Sequence, residues 1–346
     1  MTASAWSLEV TLAVSALAAA ALLTELMRRI ALGSGVLDVP NPRSSHGVPT
    51  PRSGGVAIVL VTTAGLTILA LRGIVRPDLL YALAGGGIAV ALVGFIDDRR
   101  SSSAPVRLSV HFAAALWALW WLGGLPPLRI GTYVLTSGWL GYVSGALGIV
   151  WAINLFNFMD GIDGIAASEA IFVAVAGSLT LTVNAGIGLA ALTFAAACSG
   201  FLLWNWPPAR IFLGDAGSGY LGYVIVVLAV AATRDNPVAL WVWLILGGAF
   251  FADATVTLVR RALRNERVHE AHRSHAYQWL ARRWGSHGKV TLAVLAVNLL
   301  WLLPCAVLAA LRPRYALAAA IVALSVLAAL TVAAGAGRSE VRAPGG

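Results

Sequence analysis

Apolar residues in this chain neither alternate nor recur at helical spacing; they run on without interruption. Eleven such runs lie at about 6–27, 54–71, 78–96, 108–123, 134–153, 168–183, 186–204, 217–233, 238–259, 289–311 and 315–335, separated by short polar segments. Apolar runs of roughly 18 residues or more predict membrane-spanning helices. The first run is apolar from Val10 to Leu23 with no basic stretch before it, so it reads as a retained helix and not a cleaved leader. No internal repeat and no low-complexity linker divides the sequence. The expectation is an all-α polytopic membrane protein, one domain over residues 1–346 with eleven spans.

Composition sharpens this. Charged residues make up 11% of the 346 positions and hydrophobic ones 59%, whereas soluble domains carry about 25% charge. Cys198 and Cys305 both fall inside apolar runs without metal-type spacing and read as small core residues. The net charge of +9 raises a nucleic-acid partner, but its distribution speaks for topology. With the N-terminus outside, the inner segments hold 18 of the 24 Arg and Lys residues and the outer ones 6. That asymmetry predicts a periplasmic N-terminus and a cytoplasmic C-terminus, and no nucleic acid. A basic inner face also attracts anionic lipid or substrate.

The acidic residues are more lopsided still. Of 15, only Glu9, Asp78 and Asp235 fall outside; the other twelve lie on inner segments or at inner helix ends, and mid-span charge is nearly absent. Five polar inner segments thus gather the chemistry on a rigid apolar scaffold.

The first, DVPNPRSSHGVPTPRSGG from Asp38 to Gly55, is a stiff Pro- and Gly-rich loop. Its Arg43, His46 and Arg52 can donate to phosphate, though a plain positive-inside loop would look similar. The second, GFIDDRR, ends a helix on Asp97 and Asp98. Adjacent carboxylates repel, and a helix C-terminus is the wrong pole for anions, so the pair needs compensation; the bland alternative is a solvated helix end. In the third, NLFNFMDGIDG, Asn154, Asn157, Asp160 and Asp163 recur every three residues and crowd one side of a helical turn. Four converging oxygen-bearing side chains suit a hard cation and a ribose or base edge, and a simple polar cap explains only one of them. The fourth, NWPPARIFLGDAGSGYLG, sets Asp215 in a turn that opens a helix. Free N–H groups there favour phosphate and an Asp could hold a bridging metal; an ordinary N-cap is the alternative. The fifth, RRALRNERVHEAHRSHAYQ, spaces His269, His272 and His275 three apart among arginines. A zinc-protease motif would need histidine at 273, where Arg273 stands. His and Arg together suit a diphosphate; a basic juxtamembrane loop would also account for them.

Taken in order from Asp38 to Gly288, these five segments resemble the polyprenyl-phosphate N-acetylhexosamine-1-phosphate transferases, glycosyltransferase family 4. PRSGG, the Asp97–Asp98 pair, NLFNFMDGIDG, FLGDAGS and the histidine-rich loop are specific as a set and weak singly. HRSHAYQ looks most like the bacterial branch that initiates O-antigen and related surface polysaccharides, and it departs from the consecutive His triplet of the peptidoglycan branch. The resemblance implies transfer of a sugar 1-phosphate from a UDP-N-acetylhexosamine to undecaprenyl phosphate on the cytoplasmic face of the bacterial inner membrane, releasing UMP. It implies Mg²⁺, with Mn²⁺ as the alternative. Asp215, then Asn157, are the expected metal ligands, and Asp97 or Asp98 the base or the group orienting the acceptor phosphate. Asp163, Asn205 and Phe212 are expected on the uracil and Asn154 and Asp160 around the ribose phosphate. Arg52, His272, Arg273 and His275 are expected on the phosphates and sugar. The rival from another class is a secondary transporter of an anionic metabolite, whose site should lie at mid-membrane on broken helices; a non-catalytic sensor is a third. The sugar and the oligomeric state, a homodimer included, stay open.

Overall fold

A computed structural model describes residues 3–35, 37–40, 47–181, 183–266 and 272–338, with side chains from residue 9. Arg43, His46, Arg267, His269 and Arg342 lie outside the described residues. Every predicted apolar run folds as helix. In chain order these are α1 (Ala3–Ser34), α2 (Gly55–Leu71), α3 (Pro77–Arg99), α4 (Ala104–Leu122), α5 (Gly138–Met159), α6 (Ile165–Thr180), α7 (Ala185–Asn205) and α8 (Gly214–Asp235). There follow α9 (Ala239–Leu246), α10 (Gly248–Ala262), α11 (Ala276–Trp284), α12 (His287–Val297), α13 (Leu303–Leu311) and α14 (Ala316–Ala334). Two short antiparallel ladders join them. The strands β1 (Leu37–Asp38) and β2 (Thr50–Pro51) pair at one end of the bundle, and β3 (Leu128–Ile130) and β4 (Tyr133–Leu135) form a hairpin in the loop between α4 and α5.

Among the described residues, seven helices are long and apolar enough to cross a membrane, or eight if one bent pair counts as a single span. The expectation of eleven spans is therefore met as helices and not in full as spans: α2 and α6 are apolar but short, and α4 is not among the helices long and apolar enough to cross. The run at 238–259 is not one straight helix. It breaks at Gly247 into α9 and α10, bent by 72°. The run at 289–311 stays continuous from α12 to α13 through a wider π turn at Asn298–Leu302. The run placed at 134–153 starts later and ends later, because Tyr133–Leu135 pairs in a hairpin and the helix begins at Gly138. A further helix, α11, occupies the end of the last inner loop, where no apolar run announced it.

The centre of the bundle is α8, with 94% of its spanning window buried. Its small residues, GDAGSG at the start and alanines later, let α2, α3 and α5 pack close around it. Two carboxylates are buried among the helices: Asp253 of α10 and Glu169 of α6 are 3% and 1% exposed. Buried carboxylates are costly unless paired. Glu169 accepts a hydrogen bond from Asn298 Nδ2 (2.6 Å) on the π turn, and Asp253 is bonded more richly, as described below. The ends of α3, α5, α7 and α10 and the starts of α2, α4, α6, α8 and α12 all meet at one end of the bundle, which gathers the polar segments.

Candidate active site

The Asp97–Asp98 pair ends α3, at the pole that repels anions. Asp98 is compensated by the opposite pole of another helix. Its side chain is fully buried and accepts hydrogen bonds from the backbone N–H of Asp215 (2.9 Å) and of Ala216 (3.5 Å), the first turn of α8. It also accepts from Ser53 Oγ (3.0 Å) and pairs with Arg52 Nε (3.1 Å). Gly214, at φ +76°, turns the chain into α8, and a Cβ there would collide with the Asp98 carboxylate. The first N–H groups of α8, expected to be free for phosphate, are thus already held by a protein carboxylate, because a buried anion takes the nearest donors.

Arg52 bridges two carboxylates, Asp98 and Asp215, the latter through Nη2 at 3.2 Å. Its loop is fastened to the stretch before α8: Phe212 N donates to Pro51 O (2.8 Å), Gly54 N to Phe212 O (2.9 Å) and Gly55 N to Leu213 O (2.9 Å). Asp97 points the other way, accepting from Ser102 N (2.6 Å) and pairing with Arg107. The Asp215 carboxylate is a like-charge neighbour of it, and neighbouring carboxylates repel unless a proton or a cation lies between them.

The NLFNFMDGIDG run is helical only in its first half. Asn154 and Asn157 lie on α5, which ends at Met159; Asp160 follows it and Asp163 sits in the turn before α6. Asn154 Nδ2 donates to Val150 O (2.7 Å), within its own helix, and Asn157 Nδ2 to Ser218 Oγ (3.1 Å) of α8. Burial, then the carboxylates of Asp215, Asp98 and Asp163, push Asp160 well above the usual carboxylate range, against the pull of Arg52. Asp163 is braced on three sides. Its Oδ2 accepts from Ala209 N (3.1 Å), its Oδ1 stands 3.3 Å from His287 Nδ1, and its carbonyl accepts from Thr291 Oγ1 (3.1 Å). Asn205 is buried and spends both ends of its amide on backbone, accepting from Gly164 N (2.9 Å) and donating to Ile211 O (3.0 Å).

The last loop comes to the same end of the bundle. His275 is buried, its ring 4.9 Å from that of His272 and stacked near Phe158 (6.4 Å) and Tyr277 (5.7 Å). His272 Nδ1 shares a hydrogen bond with Ser274 Oγ (3.0 Å). Burial, then His275 and Arg261, lower its pKa to about 3, so at neutral pH it is a neutral imidazole and not a positive clamp. The Arg273 carbonyl accepts from Arg282 Nη2 (2.9 Å). The structure therefore joins Arg52, Asp98 and Asp215 directly, sets Asp97, Asp160 and Asp163 around them, and brings the histidine segment against Phe158.

Sequence reading passed over Ser53, Arg107, Asp253, Tyr277, His287 and Thr291. Asp253 carried a usable signal, a lone carboxylate inside an apolar run. Ser53 and Tyr277 stand inside PRSGG and HRSHAYQ, segments already singled out; Arg107, His287 and Thr291 carried no signal, being ordinary residues recruited by packing.

No three His, Cys, Asp or Glu side chains among the described residues converge closely enough to hold a metal ion alone. The donor set still fits Mg²⁺, which commonly takes one or two carboxylates and completes its shell with water and substrate phosphate. The Asp97–Asp215 pair is the kind of like-charge neighbourhood that a cation relieves.

A bundle of apolar helices with a carboxylate–arginine cluster at one end is the frame of a multi-pass membrane protein. The family model for glycosyl transferase family 4 matches residues 80–233, which contain Asp97, Asp98, Asn154–Asp163, Asn205, Phe212 and Asp215. A phospho-N-acetylmuramoyl-pentapeptide-transferase of Synechococcus elongatus is 31% identical over 267 residues, covering 68% of this chain and 67% of the relative. The chain belongs to glycosyl transferase family 4. It is also 28% identical over 300 residues to a probable undecaprenyl-phosphate N-acetylglucosaminyl 1-phosphate transferase of Bacillus subtilis, 83% of this chain and 81% of the relative. A decaprenyl-phosphate N-acetylglucosaminephosphotransferase of Mycobacterium tuberculosis is 27% identical over 301 residues, 78% of this chain and 74% of the relative.

Proposed function

We propose that this protein transfers an N-acetylhexosamine 1-phosphate, a 6-deoxy sugar included, from a UDP-sugar to undecaprenyl phosphate. UMP is released at the cytoplasmic face of the bacterial inner membrane, and the product starts an O-antigen or related envelope polysaccharide. The observation that carries the reading is the Arg52–Asp98–Asp215 cluster at the point where helices leave the apolar bundle. An acceptor with its chain in lipid and its phosphate at the surface needs polar groups at that depth, and polar residues there are functional by default.

An oxygen of undecaprenyl phosphate attacks the β-phosphorus of the UDP-sugar. The bond from that phosphorus to the oxygen bridging the two phosphates breaks, and UMP leaves with the oxygen and the bonding electrons. A phosphate monoester has a second pKa of about 6, so the nucleophile is already ionised at neutral pH and Asp97 need only orient it. Arg52 offsets phosphate charge, and Asp98 holds Arg52 and the start of α8 in place. Asp163 and Phe212 face the uracil, with Asn205 fixing the Gly164 turn beneath them; Asn154 and Asp160 shape the ribose-phosphate pocket. His272, Arg273 and His275 belong to the sugar side. Bound Mg²⁺ or Mn²⁺, on Asp215 and Asn157, would neutralise charge on the diphosphate and the leaving UMP.

The test is UMP release by purified protein given undecaprenyl phosphate, Mg²⁺ and a panel of UDP-sugars. Metal-dependent release with one or more sugars is expected. Solute flux in proteoliposomes without UMP release would instead establish the transporter.

A further inference from the structure

We propose that Asp253 is a positioning residue that locks the histidine segment onto the loop carrying Asp160 and Asp163. Asp253 lies in α10, 3% exposed, between the buried Ala252 and Ala254. Both its oxygens reach the first turn of α11: Oδ1 accepts from Ala276 N (2.9 Å) and Oδ2 from Tyr277 N (3.0 Å). Thr257 Oγ1 donates to Oδ1 (3.1 Å), and His275 Nδ1 stands 3.4 Å from the same oxygen.

Capping alone does not call for this arrangement. The neighbouring α12 is capped by the hydroxyl of Ser286, the residue just before it. Asp253 instead reaches across from a different helix, 23 and 24 positions earlier. A two-oxygen grip on two successive N–H groups fixes the rotation of α11 as well as its distance, and a buried anion at a helix N-terminus is held strongly.

The rotation of α11 decides where Tyr277 points. Tyr277 is 2% exposed, and its hydroxyl donates to the carbonyl of Phe158 (2.9 Å). Its tip fills the space above Gly161, where any Cβ would strike the Tyr277 oxygen. Phe158 and Gly161 flank Asp160. The chain Asp253–Tyr277–Phe158/Gly161 therefore joins the sugar-side segment to the loop assigned to the nucleotide. This extends the proposed function to a residue outside the matched region 80–233.

Amide hydrogen exchange on the intact protein tests the lock without any assay of turnover. Asp253→Asn keeps the shape and removes the charge. It should speed exchange about tenfold or more in 276–284 and also in 154–164, leaving 168–180 unchanged. Tyr277→Phe should speed 154–164 alone. Gly161→Ala, which displaces the tyrosine from the other side, should loosen 276–284, and it serves if Asp253→Asn fails to fold. A functional arm follows from the nucleotide reading: Asp253→Asn should weaken UMP binding about tenfold. Asp253→Asn loosening only 276–284, or Gly161→Ala leaving 276–284 at the wild-type rate, would overturn the lock. Wild-type protein that neither binds UMP nor releases it would sink the proposed reaction and leave the exchange results to decide the lock alone.

Discussion

Asp97 and Asp98 are adjacent in sequence and opposite in circumstance. Asp98 serves four partners with no solvent exposure, whereas Asp97 keeps about a tenth of its side chain open beside Arg107. Removing one member of a buried charge pair costs about 3–5 kcal/mol, so Asp98→Asn should lower the melting temperature and activity together. Asp97→Asn should leave melting nearly unchanged and lower kcat about 10²-fold, the scale of acid–base and positioning contributions. If Asp97 acts as a base, raising the pH from 6 to 9 should partly restore its variant; a flat profile assigns it to orientation. A fully active Asp98→Asn protein with unchanged melting would contradict the arrangement described. His272 gives a second expectation at this scale. Its ordinary pKa of 6.5 falls to about 3 in the fold, so between those values the unfolded chain binds the proton and the folded one does not. Acidification through that window should favour unfolding, and His272→Gln should flatten the loss. Because the imidazole is already neutral at pH 7, His272→Gln should keep activity within a few-fold and His272→Ala should not.

At the scale of elements, two helices brace the loop carrying Asp160 and Asp163 from outside the matched region. The α12 helix meets it through His287 and Thr291, and α11 meets it through Tyr277. On the proposed function, Arg273 belongs to the sugar side of the site. Charge-assisted contacts contribute about 1.5–3 kcal/mol, so Arg273→Ala should weaken use of the UDP-sugar by about one to two orders of magnitude and leave UMP binding nearly unchanged. Exchanging residues 260–275 for those of a relative with another donor should shift sugar preference and spare uridine preference. Competition assays with UMP and a UDP-sugar panel read both, and a swap that leaves sugar preference unchanged would refute the division of labour. The exchange stops at 275 so that Ala276 and Tyr277, whose N–H groups Asp253 holds, are kept.

For the molecule as a whole, the excess of arginine at the Asp97 end predicts that this end is cytoplasmic. The β3–β4 hairpin is at the opposite end. Tyr133→Cys should react with a membrane-impermeant maleimide in intact cells whose outer barrier is opened, and Ser101→Cys only after the inner membrane is permeabilised. The opposite labelling pattern would reverse the orientation. Cys198 is buried and Cys305 partly so, which keeps the background low.

The sequence by itself determined that the apolar runs fold as helices, that most of the polar residues gather in five segments, and which family they belong to. Uninterrupted apolarity in lipid admits only closed backbone hydrogen bonding, so length and composition were sufficient for the helices. They were not sufficient for the bend at Gly247 or the π turn at Asn298, which depend on neighbours. They were also silent on α11, whose helix is fixed by a carboxylate from α10. Asp98 looked misplaced at a helix C-terminus until the start of α8 was found against it, and Asn205, expected on the uracil, turned out to spend its amide on two backbone groups. Only the tertiary structure decided these partnerships, because nearly all join positions tens to more than a hundred residues apart, and local pattern carries no information about which helix end will face which.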